Sequence, residues 1–315
     1  MARKVLLVLW VLVLWGDRCF ADEPFGPAER APFRFAVISD LNPSCARISA
    51  TAGLKKTIEV ISSKINPLFV LIAGDMIGMS KGKKCLQASS YPKMWDAFMA
   101  EIEKLSEADI PVYVSPGNHD ASYYNAAFRE YEKVWMRYPH KPDFGDNDYY
   151  PFHYSFNIRG NHFISMPAYD LWFKGNVSKA KGWLIKDLEK VEEKKVSEEY
   201  DNVFLFQHVP IRDPKCKKGN EKIRDEKYAP ILNGKVDVVF AGHQHCYRDD
   251  YADGVRQIVS GPSGDPSARG KNADMNFLVV DVFGPKDFKV YAVTEDSDYT
   301  MTFDGTALPP WPPTQ

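Results

Sequence analysis

The stretch FRFAVISDLNPS, Phe33 to Ser44, decides how the rest of the chain is read. Phe33 to Ile38 is an apolar, partly β-branched run of strand length, with the near-continuous hydrophobicity of a strand buried on both faces. It stops abruptly on Ser39-Asp40-Leu41-Asn42-Pro43, where Asp40 and Asn42 stand two apart and share a face if the extended geometry persists. Asp, Asn, Pro and Ser are also ordinary turn residues, so one such end is only a turn. The pattern recurs, however. The apolar runs 67–73, 111–115, 202–206 and 236–241 end on Gly74-Asp75, Pro116-Gly117-Asn118-His119-Asp120, Gln207-His208 and Gly242-His243-Gln244-His245. Helical spacing separates the early runs, over 50–65 and 91–108, and returns over 179–195. Strand–helix–strand alternation predicts parallel pairing with right-handed crossovers, and ligands in such sheets gather at the C-terminal strand ends. Polar clusters at successive ends of that kind mark a site.

The remaining segments frame this core. Residues 1–21 have the form of an export signal, with Arg3 and Lys4 before an apolar run from Val5 to Trp15 and small residues at Cys19 and Ala21. Residues 22–300 then form one α/β domain, interrupted over 121–150 by an aromatic-rich insertion that reads as a helical excursion burying its rings in a small core of its own. A strand pair flanks Arg159-Gly160-Asn161, and two more strands follow over 277–283 and 288–294. The proline-rich tail, 301–315, reads as unstructured at its end, from Leu308. The formal net charge of −2 argues against a nucleic-acid polymer or an anionic membrane as partner. No later run has the roughly 20 apolar residues a membrane helix needs. The expected location is secreted or periplasmic, with Asn176-Val177-Ser178 a glycosylation acceptor if the host is eukaryotic. Four cysteines remain after the leader: Cys45, Cys85, Cys216 and Cys246. An even number in an exported chain favours disulfides, with three pairings open.

Asp40, Asn42, Asp75, Asn118, His119, His208, His243 and His245 together offer carboxylate, carboxamide and imidazole donors. That mixture suits two divalent ions, imidazole favouring iron, zinc or manganese and oxygen donors favouring manganese or magnesium. The blocks SDLN, AGDM, PGNHD, FQHVP and AGHQH, in this order, resemble the signature of the calcineurin-like metallophosphoesterases, over about Phe33 to Thr294. The resemblance implies a four-layer α/β/β/α sandwich of two mixed β-sheets flanked by helices. It implies two divalent metals, manganese foremost, with iron, zinc or magnesium as alternatives. Asp40, Asp75 and His245 would hold the first, and Asp75, Asn118, His208 and His243 the second, so that Asp75 bridges. His119 would be catalytic rather than a ligand, facing the scissile phosphate. The implied activity is hydrolysis of a phosphomonoester or phosphodiester by a metal-bridging hydroxide. The substrate would be a small-molecule or headgroup phosphoester. A phosphodiesterase for cyclic nucleotides or lipid headgroups is the alternative within the enzyme class, and a non-catalytic binding protein on the same scaffold is the rival outside it.

The departure from the family pattern is Asn42, which stands where the family usually has a histidine. It is either a weaker oxygen ligand of the first metal or an Asx-turn residue before Pro43. Purple acid phosphatases are disfavoured within the family, because no tyrosine stands at ligand spacing after the first aspartate. His162, in the look-alike Gly160-Asn161-His162, and His153, among strand aromatics, read as structural. The loop 212–227 and Lys81, Lys83 and Lys84 read as solvated charge. In this fold the loops after the first two strands adjoin, as do those after the fourth and fifth blocks, so Cys45–Cys85 and Cys216–Cys246 are the expected disulfides.

Overall fold

The computed structural model describes residues 30–41, 48–78, 90–121, 125–139, 149–167, 177–196, 201–214, 229–264, 275–294, 300–302 and 304–312. The expected leader, Asn42, Cys45, Cys85, Cys216, the three lysines after the second block and most of loop 212–227 lie outside these residues.

The first sheet holds β1 (Phe33–Ile38), β2 (Val70–Ala73), β3 (Val112–Ser115), β10 (Asn276–Gly284) and β11 (Asp287–Thr294), in the order β11-β10-β1-β2-β3. β1, β2 and β3 pair in parallel, as the alternation predicts, and β10 and β11 add antiparallel strands on the other side. The second sheet holds β4 (Tyr154–Ile158), β5 (Asn161–Ser165), β6 (Asn202–Phe206), β7 (Val238–Ala241), β8 (Arg248–Ala252) and β9 (Val255–Val259), in the order β4-β5-β6-β7-β9-β8. Its centre is parallel, and antiparallel hairpins close both edges.

Strand periodicity sorts the side chains between layers. Phe163, Phe204, Phe206 and Phe240 face the first sheet, where Phe35 meets the rings of Phe163, Phe204 and Phe240 at centroid distances of 5.5–6.0 Å. Their neighbours Ile164, Val203, Leu205 and Val239 face outward and pack under α4 (Val177–Val196) and α5 (Ala229–Leu232). The other outer layer is α1 (Ala52–Val60), α2 (Tyr91–Glu107) and α3 (Asn125–Arg137). Thr51 caps α1 by accepting the Leu54 N–H, and α1 runs on into a π-helical turn, Ile61–Ile65. This is the expected sandwich of two mixed sheets flanked by helices.

Two expectations need correction. The aromatic insertion does not bury its rings in a core of its own: Tyr131 and Trp135 of α3 pack on Trp95 of α2, within the main core. Burying large rings against an existing helix removes more apolar surface than a small separate cluster can. The tail is not detached from the fold either. Leu308 packs on the core and donates its N–H to Thr300, and Trp311 lies under the Arg34 guanidinium, 4.9 Å from the ring centroid. Among the described residues no helix is long and apolar enough to cross a membrane.

Candidate metal centre

The polar strand ends converge. The loops after β1 and β2 are joined by backbone hydrogen bonds from Asp40 to Gly74 (3.0 Å) and from Leu41 to Asp75 (2.8 Å). Gly74, at φ +77°, lies so near the loop after β6 that an added Cβ would fall 2.6 Å from Cβ of His208. A Cβ on Gly117 would fall 2.2 Å from the Asp75 backbone nitrogen and from its Oδ1. Only glycine lets three chain segments approach this closely.

Two donor groups result. In one, the Oδ2 of Asp40 accepts from the Ser39 hydroxyl and from the His243 N–H, both at 2.9 Å. Its Oδ1 stands 3.1 Å from Nε2 of His245, a contact without hydrogen-bond alignment. In the other, ligand atoms of Asp75, His208 and His243 all lie within 4.8 Å of one another. Nδ1 of His208 is 2.8 Å from the Ala73 carbonyl oxygen and donates to it, which leaves the Nε2 lone pair facing the centre, 3.1 Å from Asp75 Oδ2. Anchoring one imidazole nitrogen in this way sets the tautomer of a metal ligand. Asn118 joins from the loop after β3, and the N–H of His119 donates to Asp75 Oδ1 at 2.9 Å. The His119 ring stands beside the same carboxylate, Nε2 to Oδ2 3.6 Å.

Of the sequence-predicted residues, Asp40, Asp75, Asn118, His119, His208, His243 and His245 thus come together, and Asn42 lies outside the described residues. His162 is elsewhere: its Nδ1 is 2.7 Å from Asn157 Oδ1 and its Nε2 2.9 Å from Asp187 Oδ2 on α4. Asp120 is not among the sequence-predicted residues. It is fully buried and accepts three backbone N–H groups beside the centre. The only signal for it was its place as the last residue of PGNHD. Burial and the charge of Asp75 push its carboxyl up to about 7, against the pull of those donors.

Electrostatics and unmet hydrogen bonding both fit cations. Burial penalises the charge on Asp75, yet His119 and His208 hold its carboxyl far below the usual range. Burial likewise opposes the charge on Asp40, and His245 outweighs it. The His208 ring, which burial alone would lower, is raised to about 10 by Asp75. Buried carboxylates of this kind demand positive charge, and a divalent cation can take the place of a proton on the facing nitrogen. Asp40 Oδ1, Asn118 Oδ1 and His245 Nδ1 are buried without a hydrogen-bond partner. Buried polar atoms are seldom left unpaired, and atoms meant for a metal are the natural exception.

The chain belongs to the calcineurin-like phosphoesterase family, whose model matches residues 33–247. Similar curated proteins include purple acid phosphatase 22 of Arabidopsis thaliana, 27% identical over 227 residues that make up 70% of this chain and 46% of that protein. Purple acid phosphatase 21 of the same plant is 28% identical over the same shares of each chain. The chain therefore spans about half the length of these relatives. Their names come from the group that the missing tyrosine disfavoured. Leu41, Asn42, Pro43, Ser44 and Cys45 follow Asp40, so this chain resembles them without a tyrosine there. Among solved structures, the fold is shared with the yellow lupin purple acid phosphatase PPD1 (TM-score 0.62, 17% identity, 88% of this chain and 53% of that one). It is shared also with GAP50 of Plasmodium, titled the anchor in the inner membrane complex (TM-score 0.58, 15% identity, 90% and 91%). A dimetal phosphatase from Danio rerio aligns with a TM-score of 0.54 at 15% identity, over 82% and 98%.

Proposed function

We propose that this chain is a metal-dependent phosphoesterase that hydrolyses a small phosphomonoester, and that it is exported. The observation that carries the reading is the convergence of Asp40, Asp75, Asn118, His208, His243 and His245 with buried donor atoms left unpaired. Asp40, Asp75 and His245 would hold one divalent ion and Asp75, Asn118, His208 and His243 the other. When bound, such ions acidify water to hydroxide near neutral pH and neutralise charge on phosphoryl oxygens. The chain's own residues prepare the site. Ala73 fixes the tautomer of His208, Ser39 and the His243 N–H hold one oxygen of Asp40 so that the other faces inward, and Asp75 orients the loop of His119. Burial lowers the His119 imidazole, and a neutral ring still offers one N–H to a phosphoryl oxygen.

The names of the curated relatives favour a monoester over the cyclic or lipid diesters that the same chemistry can serve. GAP50 shows the fold under a title that describes an anchor, but the donor set here is too complete for a pure scaffold. Manganese is the expected ion if Asn42 replaces an imidazole with oxygen at the first site. Cys216–Cys246 and Cys45–Cys85 are the disulfides this reading expects in an exported chain.

The test is hydrolysis of an aryl phosphate and its bis-aryl diester after chelation, with manganese, magnesium, zinc or iron restored. Activity should vanish with chelator, return with manganese and favour the monoester. Asp75→Ala should abolish it; undiminished turnover in that variant would sink the reading. His119→Ala should lower turnover with metal content intact.

A further inference from the structure

Asp120 does work that the ligand assignment leaves unexplained. Its Oδ1 accepts the N–H groups of Met76 (2.8 Å) and Ile77 (3.1 Å), and its Oδ2 accepts that of Gly117 (2.8 Å). Met76 and Ile77 directly follow Asp75, and Gly117 directly precedes Asn118. The β2–β3 ladder runs only to the pair Ala73↔Ser115, so both site loops lie beyond its hydrogen bonds. Past that point the carboxylate of Asp120 is a direct strut between them. Three donors meeting two oxygens require acceptors on both sides of the group. An amide would turn its NH₂ toward at least one N–H and break one arm of the strut.

We infer that Asp120 is a positioning residue that sets the spacing between Asp75 and the Asn118–His119 pair, and so governs the second metal group more than the first. The inference rests on the ligand reading proposed above. Asp75 serves both groups, but Asn118 belongs to the second alone, so the spacing between them is set only in the second. In the first group, Asp40 has supports of its own, in the Ser39 hydroxyl and the His243 N–H. A residue that only held the fold together would lower stability without discriminating between the two ions.

The experiment is calorimetric titration of chelator-stripped protein with Mn²⁺, wild type against the isosteric Asp120→Asn, alongside thermal melts of the stripped proteins and kcat and KM at saturating Mn²⁺. Loss of a partner outside the direct ligands typically weakens metal binding about 10–100-fold. Asp120→Asn should show that loss at one of the two ions, with the other unchanged within about twofold. Turnover should fall in kcat rather than KM, because the His119 loop shifts while most substrate contacts stay. Wild-type affinity for both ions in Asp120→Asn, or equal weakening of both with a lowered Tm, overturns the inference. If Asp120→Asn does not fold, Asp120→Glu keeps both acceptor oxygens and moves them by one methylene. The same one-ion loss is expected there, and wild-type affinity in that variant overturns the inference. Wild-type protein that takes up no Mn²⁺ would overturn the ligand reading itself, and this inference with it. That outcome is distinct from an Asp120 variant that binds like wild type.

Discussion

Asp40, Asp75, His243 and His245 all sit at positive φ, between 53° and 68°, in the left-handed region that residues with a Cβ avoid. Such strain persists where the surroundings over-determine the backbone, and here it falls on four candidate ligands. Relieving it at one position should therefore stabilise the metal-stripped protein while harming the site. His243→Gly is expected to raise the stability of stripped protein by up to about 1 kcal/mol in urea melts and to weaken Mn²⁺ uptake. His153 supports a second residue-level prediction. It is 4% exposed, stacked on Tyr149 at 4.4 Å between centroids and tilted against Trp183 at 5.1 Å, and its Nε2 is buried without a partner. Burial lowers it to about 4. In the unfolded chain the ring takes up its proton near 6.5, so between there and 4 the unfolded state binds more protons and stability falls as pH falls. His153→Phe should flatten the wild-type stability slope across pH 6.5 to 4; parallel slopes would refute the assignment.

At the scale of elements, the edges of the sheets are managed by side chains. β3 is the last strand of its sheet, and its outward-facing Val114 N–H and C=O are both met by the Tyr154 hydroxyl from β4, each at 2.7 Å. One hydroxyl thus seals an edge strand and fastens the two sheets directly behind the Asn118 loop. Tyr154→Phe keeps the ring and strands the Val114 N–H, a loss of about 1–3 kcal/mol, while the carbonyl keeps the Ser165 hydroxyl as a donor at 2.9 Å. Chemical denaturation with an unchanged m-value would measure it, and a loss below about 0.5 kcal/mol would mean that water meets the freed N–H. A comparable tie holds α4 to the β4–β5 hairpin, where Asp187 faces both His162 and the Ser155 hydroxyl. That network explains a buried histidine at a strand position without any ligand role. The β8–β9 hairpin carries a local sequence signal of its own. Asp253-Gly254, at φ 50° and 87°, is a two-residue hairpin turn of the strongest sequence type. The polar strand Arg248–Ala252 beside it lacks the apolar run that marked the other strands.

Across the whole molecule, β1 is tied to the rest of the chain at both ends. Its C-terminal end feeds the metal centre. Near its N-terminal end Arg34 makes a buried bidentate pair with Asp281 of β10, at 2.6 and 2.8 Å, and donates to the Pro309 carbonyl under Trp311. Removing one partner of a buried pair leaves an uncompensated charge and costs about 3–5 kcal/mol, whereas apolar replacement of both is often neutral. Arg34→Ala should therefore be far less stable than the double variant Arg34→Met, Asp281→Leu in urea unfolding. Similar stabilities would show that the pair is hydrated. The sequence alone determined the strands, the helices between them and the residue types at the strand ends, because burial periodicity and turn chemistry are written over a few neighbouring positions. Tertiary structure alone decided that Asp40 meets the His243 N–H 203 residues away, that Asp120 spans two loops, that the α3 rings join the main core and that the tail docks on Arg34. Those outcomes depend on which buried surfaces and unpaired polar groups find one another across the packed sheets, and no local pattern of residues encodes that choice.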